Sequence, residues 1–184
     1  MSDAATSEMD VDAFLGWADG RAGRWELRDG RPKAMAPERA SHALTKFAAQ
    51  KALDAGVRRT GLPCRAFPDG MTVRISARTA FEPDALVVCP APADLGAMEI
   101  PNPIVVVEVL SPSTAADDHG IKLDGYFSLA SVEHYLILDP DRRVVIWHKR
   151  GAAGAIETRV LREGPIRLDP PGIEAEAAAF FAET

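Results

Sequence analysis

Cysteine is scarce in this sequence: only Cys64 and Cys89 occur in 184 residues. They form no CxxC pair and have no nearby histidine at ligand spacing, so neither a disulfide framework nor a zinc site is expected. Cys89, inside "ALVVCP", reads as a small buried hydrophobe. Long apolar runs are missing as well; none approaches the roughly 18 residues that a membrane-spanning helix needs. The opening "MSDAATSEMD" is acidic and polar where a secretory leader would be basic and then apolar. These absences predict a cytoplasmic protein that makes no use of a membrane. Internal repeats and low-complexity segments are also lacking, which excludes solenoids and fibrous arrays. Basic excess is absent too, because the net charge is −6. That balance argues at first against nucleic acid as a partner, but eight of the acids lie unopposed in residues 1–12 and 168–184, and the segment between them carries +2. Between positions 58 and 81, Arg58, Arg59, Arg65, Arg74 and Arg78 are opposed only by Asp69, either as a modest basic surface or as a scattered, solvated face.

What is present suits one globular domain over 1–184, since 47% hydrophobic content in a chain of this length can bury an ordinary core. Residues 1–9 are expected to form a disordered tail. "DVDAFLGWA" reads as a short amphipathic helix, and "RWELRDGRPKAMAP" as two strands joined at Asp29-Gly30. Apolar or small residues at Ala40, Ala43, Leu44, Phe47, Ala48 and Ala52 predict a helix over 38–55 that stops near Gly56. Strands are predicted around 62–67, 71–76, 84–89 and 104–110, the last two apolar on both faces and therefore central. Thr114 and Asp117 resemble a capping box that opens a second helix. "HYLILD" and "VVIWH" follow as strands about the turn Asp139 to Arg142, then a strand near 156–162 and an alanine-rich helix near 173–182. This alternation is that of an α/β or α+β domain.

Within "IVVVEVLSPST", Glu108 interrupts a run of branched aliphatic residues. It shares a strand face with Val106 and Leu110, while Val105, Val107 and Val109 face the other way. An ionised carboxylate there must reach the open rim of the sheet, be neutralised or meet a cation. Asp84, in "FEPDALVVCP", opens the preceding apolar strand 24 residues earlier. Neighbouring strands lie roughly 4.8 Å apart, so the two carboxylates could share one ion. A hard divalent cation such as Mg²⁺ would relieve their repulsion, and this ligand set suits metal-assisted phosphodiester hydrolysis.

A Pro-Asp opening one apolar strand, followed by a strand ending in Glu, resembles the PD-(D/E)XK nuclease superfamily, whose last element is a lysine two residues after the acid. Here that position is Leu110. "EVLSPST", followed by "DDHGIKLDGYFSLASVEHYLILDP", is similar to the Uma-type family of restriction endonucleases within that superfamily, in which a lysine of the next helix replaces the strand lysine. The matching residue is Lys122. "WELRDG" with Glu26 and "SHALTKF" with His42 match two further family elements, and the resemblance runs from about residue 10 to 150.

It implies a restriction-endonuclease-like α/β fold, a central mixed β-sheet flanked by helices, and a Mg²⁺- or Mn²⁺-dependent endonuclease acting on DNA. Asp84 and Glu108 would hold the metal, and Lys122 would position water or offset transition-state charge. Two readings of Lys122 stand side by side, the site amine and an exposed partner of Asp118. Tyr126, four residues on, is placed to pack the lysine stem. Glu26 either adds a metal oxygen or faces solvent from an edge strand, and His42 is either a surface histidine or a phosphate contact. A second function class also stands, a nuclease-like module that binds nucleic acid or a partner protein without cutting. A homodimer is expected through an exposed apolar edge at "VVIWH". Exchange of Lys122 for methionine is expected to leave folding and metal affinity nearly intact.

Overall fold

The structure, a computed structural model, describes residues 8–92, 94–110 and 118–181. Among these residues the elements are α1 (Val11–Ala18), β1 (Trp25–Arg28), β2 (Arg31–Ala34), α2 (Ala40–Thr60), β3 (Arg65–Pro68), β4 (Val73–Ser76), β5 (Thr79–Phe81), β6 (Ala85–Val88), β7 (Pro103–Val109), α3 (Asp118–Ser128), β8 (His134–Asp139), β9 (Val144–Arg150), β10 (Ile156–Leu161), β11 (Pro165–Leu168) and β12 (Ile173–Glu176). Of the expected tail, residues 1–7 lie outside the described residues, as does the expected capping box at Thr114 and Asp117. Met9 belongs to the fold, its N–H donating to the Gly30 carbonyl at 2.9 Å. No described helix is long and apolar enough to cross a membrane.

The architecture is α/β, with a central six-stranded mixed sheet in the order β10-β9-β8-β7-β6-β3. Only β7 and β8 run parallel; the other neighbours are antiparallel. A parallel pair needs a crossover, and α3 lies within it. Alternation along β7 sorts the core. Val105, Val107 and Val109 join Ala49, Leu53 and Val57 of α2 on one face. Val106 joins Leu86, Tyr126 and Tyr135 on the other, where α3 packs. A second sheet, β2-β1-β5-β4, stands beside this layer. Its β1 and β5 meet α1 through Val11, Phe14, Leu27 and Ala80.

Four expectations need correction. The helix expected to stop near Gly56 continues to Thr60 and ends at Gly61, whose φ of 67° is the left-handed cap. Gly56 marks a close approach: a Cβ there would lie 2.4 Å from Ile173 Cγ2. The alanine-rich segment expected as a helix forms β12 and a 3-10 turn, Ala177–Phe180, because β12 pairs with β11 and seats Ile173, Ala177 and Phe180 in the core beside α2. "VVIWH" is no exposed edge, since β9 is hydrogen-bonded to both β8 and β10. Finally, Cys64 and Cys89 form a disulfide. The β3–β6 register pairs Arg65 with Val88 and so places the two cysteines opposite each other, a proximity that spacing along the chain does not reveal. Of the arginines that could have formed a basic surface, Arg58 is paired with Asp54, Arg74 with Asp12 and Glu99, and Arg78 with Glu8.

Candidate active site

The β6–β7 register pairs Ala85 with Val107, so it continues to Asp84 opposite Glu108. The Asp84 N–H donates to the Val107 carbonyl at 3.0 Å, keeping the strands joined up to the acid. Both residues stand at the end of the sheet where β7 leaves it, in a cleft of about 610 Å³ lined also by Glu26, Arg28, Glu38, His42, Leu110 and Lys122.

Helix α3 answers the question posed by Glu108. Lys122 and Tyr126 lie four residues apart and so share one helix face. The Lys122 Nζ and the Tyr126 hydroxyl each donate to Glu108 Oε1 at 2.7 Å. The ammonium also meets Glu26 Oε1 at 2.9 Å, and Arg28 donates to Glu26 Oε2 at 2.8 Å. Glu26 therefore does not face solvent; with 3% exposure it belongs to a buried network of two acids and two bases. Lys122 is 6% exposed and is not a surface lysine. Phe81 packs edge-on against Tyr126 and lies under the Lys122 ammonium at 5.7 Å, holding both to the sheet.

Charge follows from this packing. Burial pushes the Glu108 carboxyl up to about 7; the Lys122 ammonium pulls it down, and the negative charges of Asp84 and Glu26 add to the rise. Burial alone would lower Lys122, but Glu108 and Glu26 outweigh it and hold the ammonium above its ordinary range. Glu26 goes the other way: burial opposes its ionisation, yet Lys122 and Arg28 hold it below the usual glutamate value. Burial, and then the Glu108 charge, raises the Tyr126 hydroxyl well above 10, so it is a donor at any working pH. The expectation that methionine at 122 would leave folding intact runs against this packing, because the change would remove the ammonium that Glu26 and Glu108 share.

A second set of residues reaches Asp84 from the opposite side. The Val109 N–H donates to Asp84 Oδ2 at 2.7 Å, while the Val109 carbonyl is 3.0 Å from His42 Nε2. His42 lies 3.8 Å from Asp84 Oδ2 through the same Nε2 and 3.6 Å from Glu38 Oε2 through Nδ1. One donor atom from each of Glu38, His42 and Asp84 lies within 4.8 Å of the others. Lys46, 4% exposed, bridges Glu38 and Asp69 at 2.5 Å each and stands 3.4 Å from Asp84 Oδ1. His42 is thus neither a surface group nor isolated from the proposed acids. Glu38, Lys46 and Arg28 escaped the sequence reading. The signal for the first two was legible as Glu38, His42 and Lys46 at successive four-residue steps, one face at the start of a helix.

Comparison with known proteins follows this geometry. No curated protein sequence matches the chain. A crystal structure titled as that of a putative nuclease belonging to DUF820 from Anabaena variabilis ATCC 29413 shares the fold with a TM-score of 0.75, at 16% identity, covering 94% of this chain and 97% of that one. A family model described as "Uma2: Putative restriction endonuclease" matches residues 11–179. A match over that span shows that the chain belongs to the Uma2 family.

Proposed function

We propose that the protein is a divalent-metal-dependent endonuclease that hydrolyses phosphodiester bonds of DNA. The observation that carries this reading is the convergence of Asp84 and Glu108 on one cleft, with the Lys122 ammonium bound to Glu108. The residues fit a Mg²⁺ or Mn²⁺ ion. Lys122 and Tyr126 both take Glu108 Oε1, and among the described residues no donor reaches Oε2. The repulsion that raises Glu108 is also what a cation there relieves.

Asp84 and Glu108 would hold the ion. When bound, it supplies neutralisation of phosphate charge and acidification of the attacking water. The chain's own groups do the rest. Tyr126 and Lys122 fix the Glu108 rotamer, and Glu26 and Arg28 keep Lys122 charged and in place, so a positive group waits where negative charge develops. Arg28, Lys33 and Arg39 line the same cleft and suit the phosphates of a strand entering it. Such a substrate puts the protein's work in the cytoplasm, and cutting both strands of a duplex calls for two sites, which a twofold dimer provides.

The test is cleavage of supercoiled plasmid and end-labelled duplex by the full chain with Mg²⁺ or Mn²⁺ against a chelator control. Cleavage should require the ion and fall by roughly 10²-fold or more in Asp84→Asn and Glu108→Gln, the scale of losing one group from such a site. A folded parent that binds DNA with Mn²⁺ present and leaves it uncut would replace this reading with that of a binding module.

A further inference from the structure

The central sheet ends in an open edge. Strand β10 pairs with β9 on one side and, among the described residues, with no strand on the other. All its residues are exposed except half-buried Leu161, and Ile156 and Val160 stand 40% and 63% exposed. Such an edge is a template for another strand, which proteins ordinarily block with proline, lysine, a bulge or a very short strand. Strand β10 runs for six residues in unbroken register with β9 and contains neither proline nor lysine.

Two hydrogen bonds fix where its backbone groups point. The Gly151 N–H donates to the Ala155 carbonyl at 2.8 Å, whereas the Arg150 N–H turns away from β10 to the Glu133 carbonyl at 2.9 Å. Bonded and non-bonded pairs alternate along an antiparallel ladder, so Glu157, Arg159 and Leu161 bond to β9 while the N–H and C=O groups of Ile156, Thr158 and Val160 point outward. The edge is self-complementary about Thr158. Laid antiparallel on a second copy, it sets Ile156 opposite Val160 and Glu157 opposite Arg159, each twice. The outward groups of both copies meet in this register, and the Glu157–Arg159 pairs fall at the non-bonded positions, where side chains approach most closely. A slip of two residues either way opposes Glu157 to Glu157 or Arg159 to Arg159. A slip of one sets outward groups against groups already bonded to β9. Lys149 faces Glu157 from β9, and Arg159 lies over the Trp147 ring at 5.4 Å. Across the joint the row reads Lys149, Glu157, the partner's Arg159, the partner's Trp147, alternating in sign and closing on an aromatic face.

We propose that β10 is an interface for a second copy of this chain, paired antiparallel about Thr158 so that the two six-stranded sheets join into one. The contact is isologous: one twofold axis satisfies the outward groups and both charge pairs of each copy. No residue lining the cleft belongs to β10, so the pairing leaves both clefts open. One strand a side is a small interface, which suits an association that depends on concentration. The proposal goes beyond the nuclease reading and rests on none of its chemistry.

Sedimentation velocity of the full chain, without metal or DNA, from about 1 to about 300 µM tests it. The parent should pass from one chain to two across that range. Glu157→Arg and Arg159→Glu each set like charges opposite one another twice across the axis, and each should weaken the dimer by more than about 10-fold. Both side chains are exposed, so thermal melts of the variants should match the parent. Mixing the two variants should restore association, because each then supplies the charge that the other lacks. Val160→Lys adds the edge lysine that β10 is without; it should also leave single chains, and it tests the edge even if a charge reversal unfolds. A parent that stays a single chain throughout would overturn the proposal. So would a dimer whose affinity the three substitutions leave unchanged, or charge variants that remain apart when mixed. Each of these results leaves the nuclease reading standing.

Discussion

Exchange of Lys122 for methionine removes the one cation shared by Glu26 and Glu108. Glu26 keeps Arg28 at 2.8 Å and stays ionised. Glu108 keeps only the Tyr126 hydroxyl among its described donors. Breaking a buried pair by removing one partner costs about 3–5 kcal/mol, and the retained Arg28 places this case near the lower end, about 3 kcal/mol. The loss must also depend on pH. In the parent, Glu108 is raised to about 7, so below that pH its fold already holds the proton. In the variant, without the ammonium, the carboxyl rises further and must stay protonated in the fold while the unfolded chain releases its proton from about 4.5. A raised carboxyl contributes stability below its unfolded value and loses it as pH climbs towards its folded value. For the parent this loss ends near 7; for the variant it continues, at about 1.4 kcal/mol per pH unit. The difference between the two should therefore be near 3 kcal/mol at about pH 6 and grow as pH rises above about 7. Urea unfolding at pH 6, 7, 8 and 9 with chelator present, followed by tryptophan fluorescence, measures it. Adding Glu108→Gln to the variant should abolish the growth above pH 7. A loss under 1 kcal/mol, or one equal at pH 6 and 9, would refute the buried network.

Acid should unfold the protein through His134, which is fully buried, accepts from Trp147 at Nδ1 and donates from Nε2 to the Pro170 carbonyl. Burial lowers it from 6.5 to about 4, so stability present above 6.5 is lost as pH falls towards 4, by up to about 3 kcal/mol, and His134→Asn should flatten that slope in thermal melts. Gly125→Ala would place a Cβ 2.7 Å from Phe81 Cε2. The ring that seats Tyr126 and Lys122 must then shift, at a cost of about 1–3 kcal/mol, with weaker Mn²⁺ binding by calorimetry; unchanged stability and affinity would count against α3 as the frame of the site. Reduction of Cys64–Cys89, 25 residues apart, should lower stability by about 3 kcal/mol in urea titrations with and without dithiothreitol, with Cys89→Ala insensitive to the reductant.

Local pattern sufficed for those parts of the molecule that local physics controls. Unbroken apolar runs marked β6 and β7 as buried on both faces, and Asp29-Gly30 marked the hairpin of β1 and β2, because burial and turn conformation are properties of a few adjacent residues. Glu108 stood out for the same reason: a carboxylate in an aliphatic strand requires a partner wherever the strand goes. Tertiary structure alone decided who the partners are. Lys122 had an equally good local companion in Asp118, and only the α3 crossover between parallel β7 and β8 carries it to Glu108 and Glu26. Glu38 and Lys46 drew no notice in the sequence, and only the packing of α2 against the sheet end that carries Asp84 brings them to that acid. The carboxyl-terminal alanines favour a helix in isolation, but pairing with β11 and the seat for Ile173 beside Gly56 outweigh that preference. Each of these outcomes depends on strand register and on which face of an element meets which neighbour, and both are set by contacts between residues far apart in the chain.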